Sequence, residues 1–379
     1  MIVELRGVEF VNKGAELMLH SICQKFKKQC SDVRFVMEAN PRVTKQNLLE
    51  NNILPKPHFQ SRFIKLNTIS NYIPKFLYRD DFVADKDVDI VIDGSGFAFG
   101  DKWGAVKAGD RMADKVVRWK MEGKIVILMP QAFGPFTNPK LISKMQIILE
   151  NADLIFARDS ISYEHLKRIN SKGNNVFLRP DFTPLLKVNK FQNTLAGNIA
   201  IIPNVKMIAG RSEMDIENYY RIFRESIKIV QNKGLKPFFL IHEVGADKSL
   251  AERINKQLDN PLEIIVEENA LNVKAIIADC KATLTSRFHG LVSSLSQGVP
   301  SLCTSWSHKY EMLLKDYDFD EGLLKLNTST GELEDIIDSV FITKYEAVRD
   351  GLIEKSKEQI DLVEDTWAMI FSLIENSKR

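Results

Sequence analysis

The sequence lacks the features that would tie the chain to a membrane or to an oxidising compartment. It contains no run of 18 apolar residues, which is about the length needed to span a bilayer. The first residues, MIVELRGVEF, lack the basic and apolar segments of a signal peptide. The four cysteines form no C-x-x-C pair and no metal-binding spacing. We therefore expect a cytoplasmic protein with reduced thiols and without a bound metal.

An excess of charge is also missing. The formal net charge is only +2. The sequence contains no recognisable RNA-binding motif of interleaved basic and aromatic residues. We therefore expect no nucleic-acid partner. No internal repeat or low-complexity tract stands out. With 379 residues, 44% of them hydrophobic, the chain is long for one core and suggests two globular domains.

Strand patterns alternate with helix patterns along most of the chain. The first strand, Ile2–Leu5, precedes a glycine-bearing loop and a helix over Gly14–Gln29, and apolar runs such as Ile125–Pro130 suit central parallel strands. This order predicts an α/β protein with doubly wound, Rossmann-like sheets. The polar segment Lys187–Asn198 is the predicted linker. The predicted parts are an N-terminal domain over 1–187, a C-terminal domain over 199–345, and a C-terminal helix within 346–379 that packs back on the N-terminal domain.

The strongest candidate site lies in residues 282–305, ATLTSRFHGLVSSLSQGVPSLCTS. The pattern predicts a strand, a turn with Arg287 and His289, a short helix and a second strand. Gly298 suits a left-handed helix end, and Pro300 stops any continuation. Open α/β sheets bind ligands where a strand ends and a helix begins, and free helix amides favour an anion there. The structural alternative is an arginine that caps a carbonyl and a histidine satisfied in a packed turn.

Polar or glycine-bearing segments follow several other predicted strands. They are Asn12-Lys13-Gly14-Ala15-Glu16, Asp93-Gly94-Ser95-Gly96, Gln131 within MPQAFGPF, and His242-Glu243. Asn12 and Glu16 could simply cap a helix, and His242 could be a hydrogen-bonded residue at a strand end. Phe99 stands where G-x-G-x-x-G needs its third glycine, so no dinucleotide site is predicted.

Taken in order, these segments resemble the polysaccharide pyruvyl transferase family, from Asn12 to about Lys309. The resemblance rests on Asn-x-Gly-x-Glu, the glycine loop, Gln-x-x-Gly-Pro-Phe, Arg-Pro-Asp, His-Glu, and Ser-Arg-x-His followed by QGVPSL. The chain departs from the family pattern at Ser95, at Pro130 and at Asn204. The first two replace glycines, and Asn204 stands where the family usually has an arginine.

The resemblance implies a fold of two Rossmann-like domains that face a cleft, as in GT-B glycosyltransferases. It also implies transfer of the enolpyruvyl group of phosphoenolpyruvate to a sugar of a cell-surface polysaccharide precursor, such as a capsule or exopolysaccharide, giving a pyruvate ketal. The acceptor would be a sugar or a lipid-linked oligosaccharide, and no cofactor would be needed.

The same resemblance implies roles for individual residues. The catalytic residues would be His289, which acts as the general acid/base, Arg287, which binds the donor, and Glu16. The implied donor-binding residues are Ser286, Arg287, Phe288, Gly290, His242, Glu243 and Lys309, and the chain itself offers Lys206 and Arg211 as further candidates near Asn204. The implied acceptor-side residues are Asn12, Gly14, Asp93, Gly94, Ser95, Gly96 and Gln131.

Several alternatives stay open from the sequence. Lys206 or Arg211 could replace the positive charge that Asn204 lacks. Segment 56–82 mixes basic and aromatic residues, which fits either a core-facing helix with solvated bases or contact with the inner face of the cytoplasmic membrane. The competing functions are a glycosyltransferase using a nucleotide sugar, with Glu311 as a ribose contact, and a non-catalytic relative.

Overall fold

The computed structural model describes residues 1–56, 83–170, 173–189 and 194–377. They divide into two compact units. The first unit comprises Met1–Val11, Met18–Phe182 and Val363–Arg379, and the second comprises Asn12–Leu17 and Thr183–Leu362. The start of the first helix therefore belongs to the second unit, although the strand before it belongs to the first.

The first unit is built on a parallel sheet. The described strands are β1 (Ile2–Arg6), β2 (Arg34–Glu38), β3 (Ile53–Lys56), β4 (Ile90–Asp93), β5 (Phe97–Phe99), β6 (Ile125–Phe133), β7 (Leu154–Ala157) and β8 (Val176–Leu178). The helices are α1 (Lys13–Gln29), α2 (Lys45–Glu50), α3 (Gly104–Ala108), α4 (Val116–Met121), α5 (Pro139–Asn151) and α6 (Ser160–Ile169). The strand order is β3-β2-β1-β4-β6-β7-β8, with β5 paired to β6.

The sequence explains why β6 is central in this sheet. All nine of its residues are buried, because helices cover both faces of a parallel sheet and leave no solvent-facing side. Helices begin where a side chain can cap them: Asn138 caps the start of α5 ahead of a proline, and Asp159 caps the start of α6 by accepting from the Ser162 amide.

The second unit repeats the same plan. Its described strands are β9 (Ile199–Ile202), β10 (Pro237–Ile241), β11 (Ile264–Val266), β12 (Ala282–Thr285), β13 (Ser301–Thr304) and β14 (Leu323–Leu324). Its helices are α7 (Glu213–Asn232), α8 (Ala246–Asn255), α9 (Ala270–Asp279), α10 (Phe288–Leu295), α11 (Lys309–Asp316) and α12 (Thr330–Asp338). The parallel order β11-β10-β9-β12-β13-β14 is that of a doubly wound sheet.

The last helix, α13 (Tyr345–Asn376), spans most of the predicted range 346–379. Within the first unit its residue Trp367 is buried, and the Trp367 ring meets that of Phe26 at 6.0 Å. Within the second unit, Ser356 donates to the Ser296 carbonyl at 2.8 Å. Among the described residues, no helix is both long and apolar enough to cross a membrane.

The two sheets confirm the predicted fold class. The predicted left-handed glycine after α10 is also present, because Gly298 has a φ of +69°. A Cβ at this position would lie 2.4 Å from Cγ1 of Ile353, so packing against α13 excludes a side chain as firmly as the backbone does.

Candidate functional site

The strand order places the candidate site at the point where the second sheet reverses its winding. Strands β9 and β12 are neighbours in the sheet, and Thr285 pairs with Ile202 at their carboxyl ends. The chain continues from these ends into Asn204 and into Ser286 and Arg287. Ligands of doubly wound sheets bind at this reversal point, because the loops of the two strands diverge there and leave a crevice.

Hydrogen bonds hold Ser286 firmly at this point. Its amide donates to the Ile202 carbonyl at 2.8 Å, and its own carbonyl accepts from Asn204 Nδ2 at 2.9 Å and Tyr310 Oη at 2.8 Å. Its Oγ lies 3.0 Å from Tyr219 Oη and 2.7 Å from Thr304 Oγ1. The amide, carbonyl and hydroxyl of Ser286 are therefore all engaged in hydrogen bonds with neighbouring residues. These bonds fix the turn that precedes Arg287.

The guanidinium of Arg287 is buried between two carboxylates. Its Nε donates to Asp247 Oδ2 at 2.7 Å, and its Nη2 lies 2.5 Å from Asp247 Oδ2 and 2.9 Å from Glu243 Oε2. Its Nη1 makes no hydrogen bond to any other described residue. Burial raises the pKa of Asp247 and outweighs the opposing charge of Arg287. Asp247 is fully buried and also accepts from the Val205 amide at 3.1 Å, so it joins the loop after β9 to the loop before α10.

His289 occupies the first turn of α10 and packs against the start of α1. A Cβ on Gly14 would lie 2.2 Å from Nδ1 of His289, which means that the imidazole fills the space of a side chain at residue 14. Gly290 is equally constrained, since a Cβ there would lie 2.6 Å from Thr285 Oγ1. The Phe288 ring is 5.5 Å from the His289 ring, nearly perpendicular to it.

His242 follows β10 and is buried beside these groups. Its Nε2 has no hydrogen-bond partner among the described residues. Burial, together with the positive charges of Arg287, His289 and Lys13, holds the pKa of His242 well below its ordinary value of 6.5. The side chain is therefore a neutral imidazole at pH 7, surrounded by three basic side chains.

The amino end of α1 brings Asn12, Gly14 and Glu16 into the second unit. Asn12 caps the helix, since its Oδ1 accepts from the Gly14 amide at 2.9 Å. Glu16 Oε2 accepts from Lys13 Nζ at 2.9 Å, and its Oε1 accepts from the Ala270 amide at 3.3 Å. Lys13 also donates to the Glu268 carbonyl. Helix capping by Asn12 is thus confirmed, and Glu16 links α1 to the first residue of α9.

Asn204 does not supply the positive charge that the family has at its position. It is buried, and its side chain is used by the Ser286 carbonyl and by the Lys206 amide. Two lysines approach the same aromatic ring, Lys206 from the turn after β9 and Lys309 from the start of α11. Lys206 Nζ lies 5.4 Å from the centre of the Trp306 ring, and Lys309 Nζ lies 4.7 Å from the centres of both the Trp306 and Phe288 rings.

The other predicted residues lie elsewhere in the described part of the chain. Arg211 is exposed and precedes α7. Glu311 is also exposed, in the first turn of α11. Asp93, Gly94, Ser95, Gly96 and Gln131 all lie in the first unit, at the carboxyl ends of β4 and β6. There the Gly96 carbonyl accepts from Arg158 Nη2 at 2.9 Å, and Arg158 pairs with Asp181 at 3.1 Å, so the Pro-Asp motif braces the glycine loop.

The predicted membrane-contacting segment, 56–82, lies outside the described residues except for Lys56. That lysine is buried and paired with Glu4 and Asp85, so it does not belong to a basic surface. Among the residues that the structure describes, no group of three or more His, Cys, Asp or Glu side chains is arranged to hold a metal ion.

Sequence reasoning missed the acidic partner of Arg287. Asp247 stands four residues after Glu243, so both carboxylates follow the carboxyl end of β10, and this spacing was the available signal. Sequence reasoning also missed the buried Lys13, which appears in the sequence only as part of a helix-capping motif. A third omission is Trp306, whose ring is approached by two lysines.

The fold and the site define a class of protein: two doubly wound sheets, with a cluster of basic, acidic and histidine side chains beside the reversal point of the second. Structures with the same fold include S. aureus MnaA with UDP, at 11% identity and a TM-score of 0.63, covering 99% of this chain and 96% of that one. Anabaena HepE with UDP and glucose matches at 12% identity and a TM-score of 0.60, covering 98% of each chain. Identities this low establish the fold alone.

The family itself is established by a sequence model. The polysaccharide pyruvyl transferase model matches residues 12–308, and the chain belongs to this family. The amylovoran biosynthesis protein AmsJ of Erwinia amylovora is 20% identical over 327 residues, covering 80% of this chain and 74% of AmsJ. The protein is thus a transferase of polysaccharide biosynthesis, with the family membership that its motifs predicted.

Proposed function

We propose that the protein transfers the enolpyruvyl group of phosphoenolpyruvate to a hydroxyl pair of a sugar in a polysaccharide precursor, and that the product is a pyruvate ketal. The observation that carries this proposal is the charge arrangement of the second unit. Arg287, His289 and Lys13 all act on the buried, neutral His242, which follows β10 next to the reversal point of the sheet. A donor with a carboxylate and a phosphate needs such a set of fixed positive groups.

Arg287 is the proposed clamp for one anionic group of the donor. Asp247 holds its Nε and Nη2, which orients the planar guanidinium and leaves Nη1 for the ligand. Because the fork is oriented before binding, little side-chain entropy is lost when the donor arrives. His242 adds a neutral hydrogen-bonding group, because its buried Nε2 has no hydrogen-bond partner among the described residues.

Lys309 is the proposed replacement for the arginine that the family has at Asn204. Its Nζ lies over Phe288, the residue between Arg287 and His289, and also over Trp306, which Lys206 approaches as well. Lys309 therefore brings a second positive charge to the turn that carries Arg287 and His289. Arg211, which is exposed, is not needed in this arrangement.

His289 is the proposed acid and base of the reaction. It delivers a proton to the methylene carbon of phosphoenolpyruvate, and the first sugar hydroxyl bonds to C2 and returns a proton to the imidazole. The second hydroxyl then replaces phosphate at C2, and its proton leaves with the phosphate. One carbon–hydrogen and two carbon–oxygen bonds form, while the carbon–carbon double bond, two hydroxyl O–H bonds and the carbon–oxygen bond to phosphate break, so this chemistry needs no metal or redox cofactor.

Glu16 takes a positioning role in this scheme. Both of its oxygens already accept hydrogen bonds, from Lys13 and from the Ala270 amide. Its carboxylate therefore holds the beginning of α1, and with it Gly14, against the ring of His289.

The test is phosphate release from phosphoenolpyruvate in the presence of lipid-linked oligosaccharides from a polysaccharide-producing strain. The full chain should release phosphate, and the His289→Ala variant should not. The matched control is His20→Ala, which changes a half-buried histidine further along α1. Near-normal release by His289→Ala, in a variant that melts like the parent, would contradict the assignment.

The fold supports one competing proposal, a glycosyltransferase that uses a nucleotide sugar, because HepE shares the fold and was crystallised with UDP and glucose. Thermal stabilisation separates the two. Stabilisation by phosphoenolpyruvate but not by UDP-glucose supports pyruvyl transfer, and the reverse result supports the competing proposal.

A further inference from the structure

Trp306 lies at the carboxyl edge of the second sheet, and the transfer chemistry proposed above gives it no role. Its strand, β13, pairs with β12, where Cys303 lies opposite Thr285, the last residue of β12. Parallel neighbours end at the same edge of a sheet, so the chain leaves these two strands side by side. One strand leads to Arg287 and the other leads to Trp306. The indole therefore belongs to the loop next to the turn that carries the proposed donor clamp.

Three aromatic rings lie close to the ammonium of Lys309, and Trp306 supplies one of them. Lys309 Nζ is 4.7 Å from the centre of the Trp306 ring, 4.7 Å from that of Phe288 and 5.6 Å from that of Tyr310. A ring attracts a cation that lies within about 6 Å of its centre, because the face of the ring is electron-rich. Phe288, Trp306 and Tyr310 thus form a set of rings around one ammonium, which we call the Lys309 cage.

Trp306 is the member of the cage that is not part of the buried core. Phe288 and Tyr310 are buried, and their rings meet at 5.5 Å, nearly perpendicular to each other. Trp306 is half-buried and meets the Tyr310 ring at 6.4 Å. Its backbone is held by a local turn, because Ser305 Oγ accepts from the Ser307 amide at 3.2 Å and donates to the Ser307 carbonyl at 2.7 Å. A substitution at Trp306 therefore changes the cage while it leaves the core of the unit in place.

The Trp306 ring also brings a second positive charge towards the first. Lys206 Nζ lies 5.4 Å from the centre of the same ring. Two ammonium groups beside one indole repel each other, and an anion bound next to them relieves that repulsion. A lysine side chain normally loses much rotamer freedom when it binds a ligand. Contacts that hold the ammonium before binding reduce this cost.

We propose that Trp306 is a positioning residue of the donor site, and that it holds the ammonium of Lys309 ready to bind the phosphate group of phosphoenolpyruvate. The proposal rests on the proposed function for the identity of this donor. An ammonium is a compact point charge that suits phosphate, whereas the planar guanidinium of Arg287 matches a planar carboxylate. The two anionic groups of the donor are thereby assigned to different side chains.

Calorimetric titration of the full chain with inorganic phosphate tests this role without the proposed donor. We expect the parent to bind phosphate with a dissociation constant on the order of millimolar. Trp306→Phe should bind it about threefold more weakly and Trp306→Leu about tenfold more weakly, because indole attracts a cation most strongly, benzene less and an alkyl group hardly at all. Equal affinity of Trp306→Leu and the parent would overturn the proposal, and so would absence of phosphate binding by the parent. Equal weakening in both variants would also overturn it, since loss of packing alone would then explain the effect.

Trp103→Leu is the matched control. Trp103 is also half-buried, its ring meets that of Phe97 at 6.0 Å, and Lys102 Nζ lies 5.5 Å from its centre. The substitution therefore removes the same kind of cation–ring contact, but in the first unit. This variant should bind phosphate like the parent.

A double-mutant cycle shows whether Trp306 acts through Lys309. The variants are Trp306→Leu, Lys309→Met and their combination, titrated with phosphoenolpyruvate, which Arg287 still binds. Trp306→Leu should weaken binding about tenfold in the parent but less than twofold in the Lys309→Met background, because the ammonium that it positions is absent there. The same loss in both backgrounds would mean that Trp306 supports the fold only, and would overturn its positioning role.

The outcome is separable from that of the proposed reaction. If phosphate affinity falls from Trp306 to Phe to Leu, but no phosphate is released from phosphoenolpyruvate with any acceptor, the reaction fails and the positioning role remains. If phosphate is released and Trp306→Leu keeps the parent's KM for phosphoenolpyruvate, the reaction remains and the positioning role fails.

Discussion

The imidazole of His289 lies where a side chain of Gly14 would stand, with only 2.2 Å between its Nδ1 and the Cβ that an alanine would carry. This relationship joins two motifs that are 275 positions apart in the sequence, the Asn-x-Gly segment and the Ser-Arg-x-His turn. The glycine of the first motif is required by the histidine of the second.

Replacing Gly14 with alanine should therefore displace the His289 ring. We expect a loss of phosphate release of about 100-fold, because misplacing a catalytic group by about an ångström has that effect. The free energy of unfolding should fall by about 1–3 kcal/mol through overpacking. Steady-state phosphate release and thermal melting measure the two effects.

Gly351→Ala is the control for this substitution. Gly351 lies within α13, and a Cβ there would have no heavy atom within 4 Å. Alanine at this helical position should stabilise the protein by about 0.5–1 kcal/mol and leave phosphate release unchanged. Equal activity of the Gly14→Ala and parent proteins would show that the observed ring position is not used in the reaction.

Replacing Arg287 with lysine should weaken donor binding although the positive charge is kept. An ammonium cannot hold the planar geometry that Asp247 and Glu243 impose on the guanidinium. We expect a loss of about 10- to 100-fold in affinity for phosphoenolpyruvate, the equivalent of a charge-assisted hydrogen bond. Titration calorimetry gives the affinity. The exposed Arg349, changed to lysine in the same way, should bind the donor like the parent.

His242 should make the protein lose stability as the pH falls. Its pKa in the folded protein lies well below 6.5, the ordinary value expected in the unfolded chain. Below pH 6.5 the unfolded chain therefore binds a proton at this histidine, whereas the folded protein does not. The free energy of unfolding should therefore fall by up to about 1.4 kcal/mol per pH unit below pH 6.5. Urea unfolding at several pH values should show a shallower pH dependence for His242→Asn than for the parent. Equal slopes for the two proteins would mean that His242 is not buried as described.

Glu4 should stabilise the first unit, and its contribution is lost at lower pH than that of His242. Burial alone would raise the pKa of Glu4, but the charges and hydrogen bonds of Lys56 and Arg6 lower it to about 2, against an ordinary value of 4.5. This contribution is complete above pH 4.5 and is lost as the pH falls towards 2. Glu4→Gln should destabilise the protein at pH 7 by about 3–5 kcal/mol, because Lys56 is left buried with one partner fewer.

The exposed pair of Glu346 and Arg349 provides the comparison for that measurement. Glu346→Gln should produce no measurable change in urea unfolding, because surface ion pairs contribute little. If the Glu4→Gln and Glu346→Gln variants behave alike, the buried network of the first unit does not stabilise it.

The sequence predicted the parts of the site that depend on local pattern. Arg287 and His289 could be placed at a strand–helix turn because β-branched residues precede them and a small-residue helix with a terminal glycine follows. The fold class followed from the alternation of strands and helices. Family membership was predicted from the order of several motifs along the chain, which no single motif could have established.

The remaining features depend on contacts between distant segments. Nothing near Arg287 in the sequence indicates that Asp247 holds it, since the two residues are brought together only by the packing of α8 and α10 around the sheet. Both alternatives for segment 56–82 place its basic side chains at the surface, and the structure corrects this for Lys56, the residue of the segment that it describes. Its charge is buried against Glu4 and Asp85 from other segments, a pairing that composition does not reveal.

The most direct test of the proposed donor is calorimetric titration of the full chain with phosphoenolpyruvate. We predict saturable binding by the parent, a strong loss of affinity in Arg287→Lys, parent-like binding in Arg349→Lys, and no heat with UDP-glucose. Absence of phosphoenolpyruvate binding by the parent, or the same affinity in Arg287→Lys, would contradict the account.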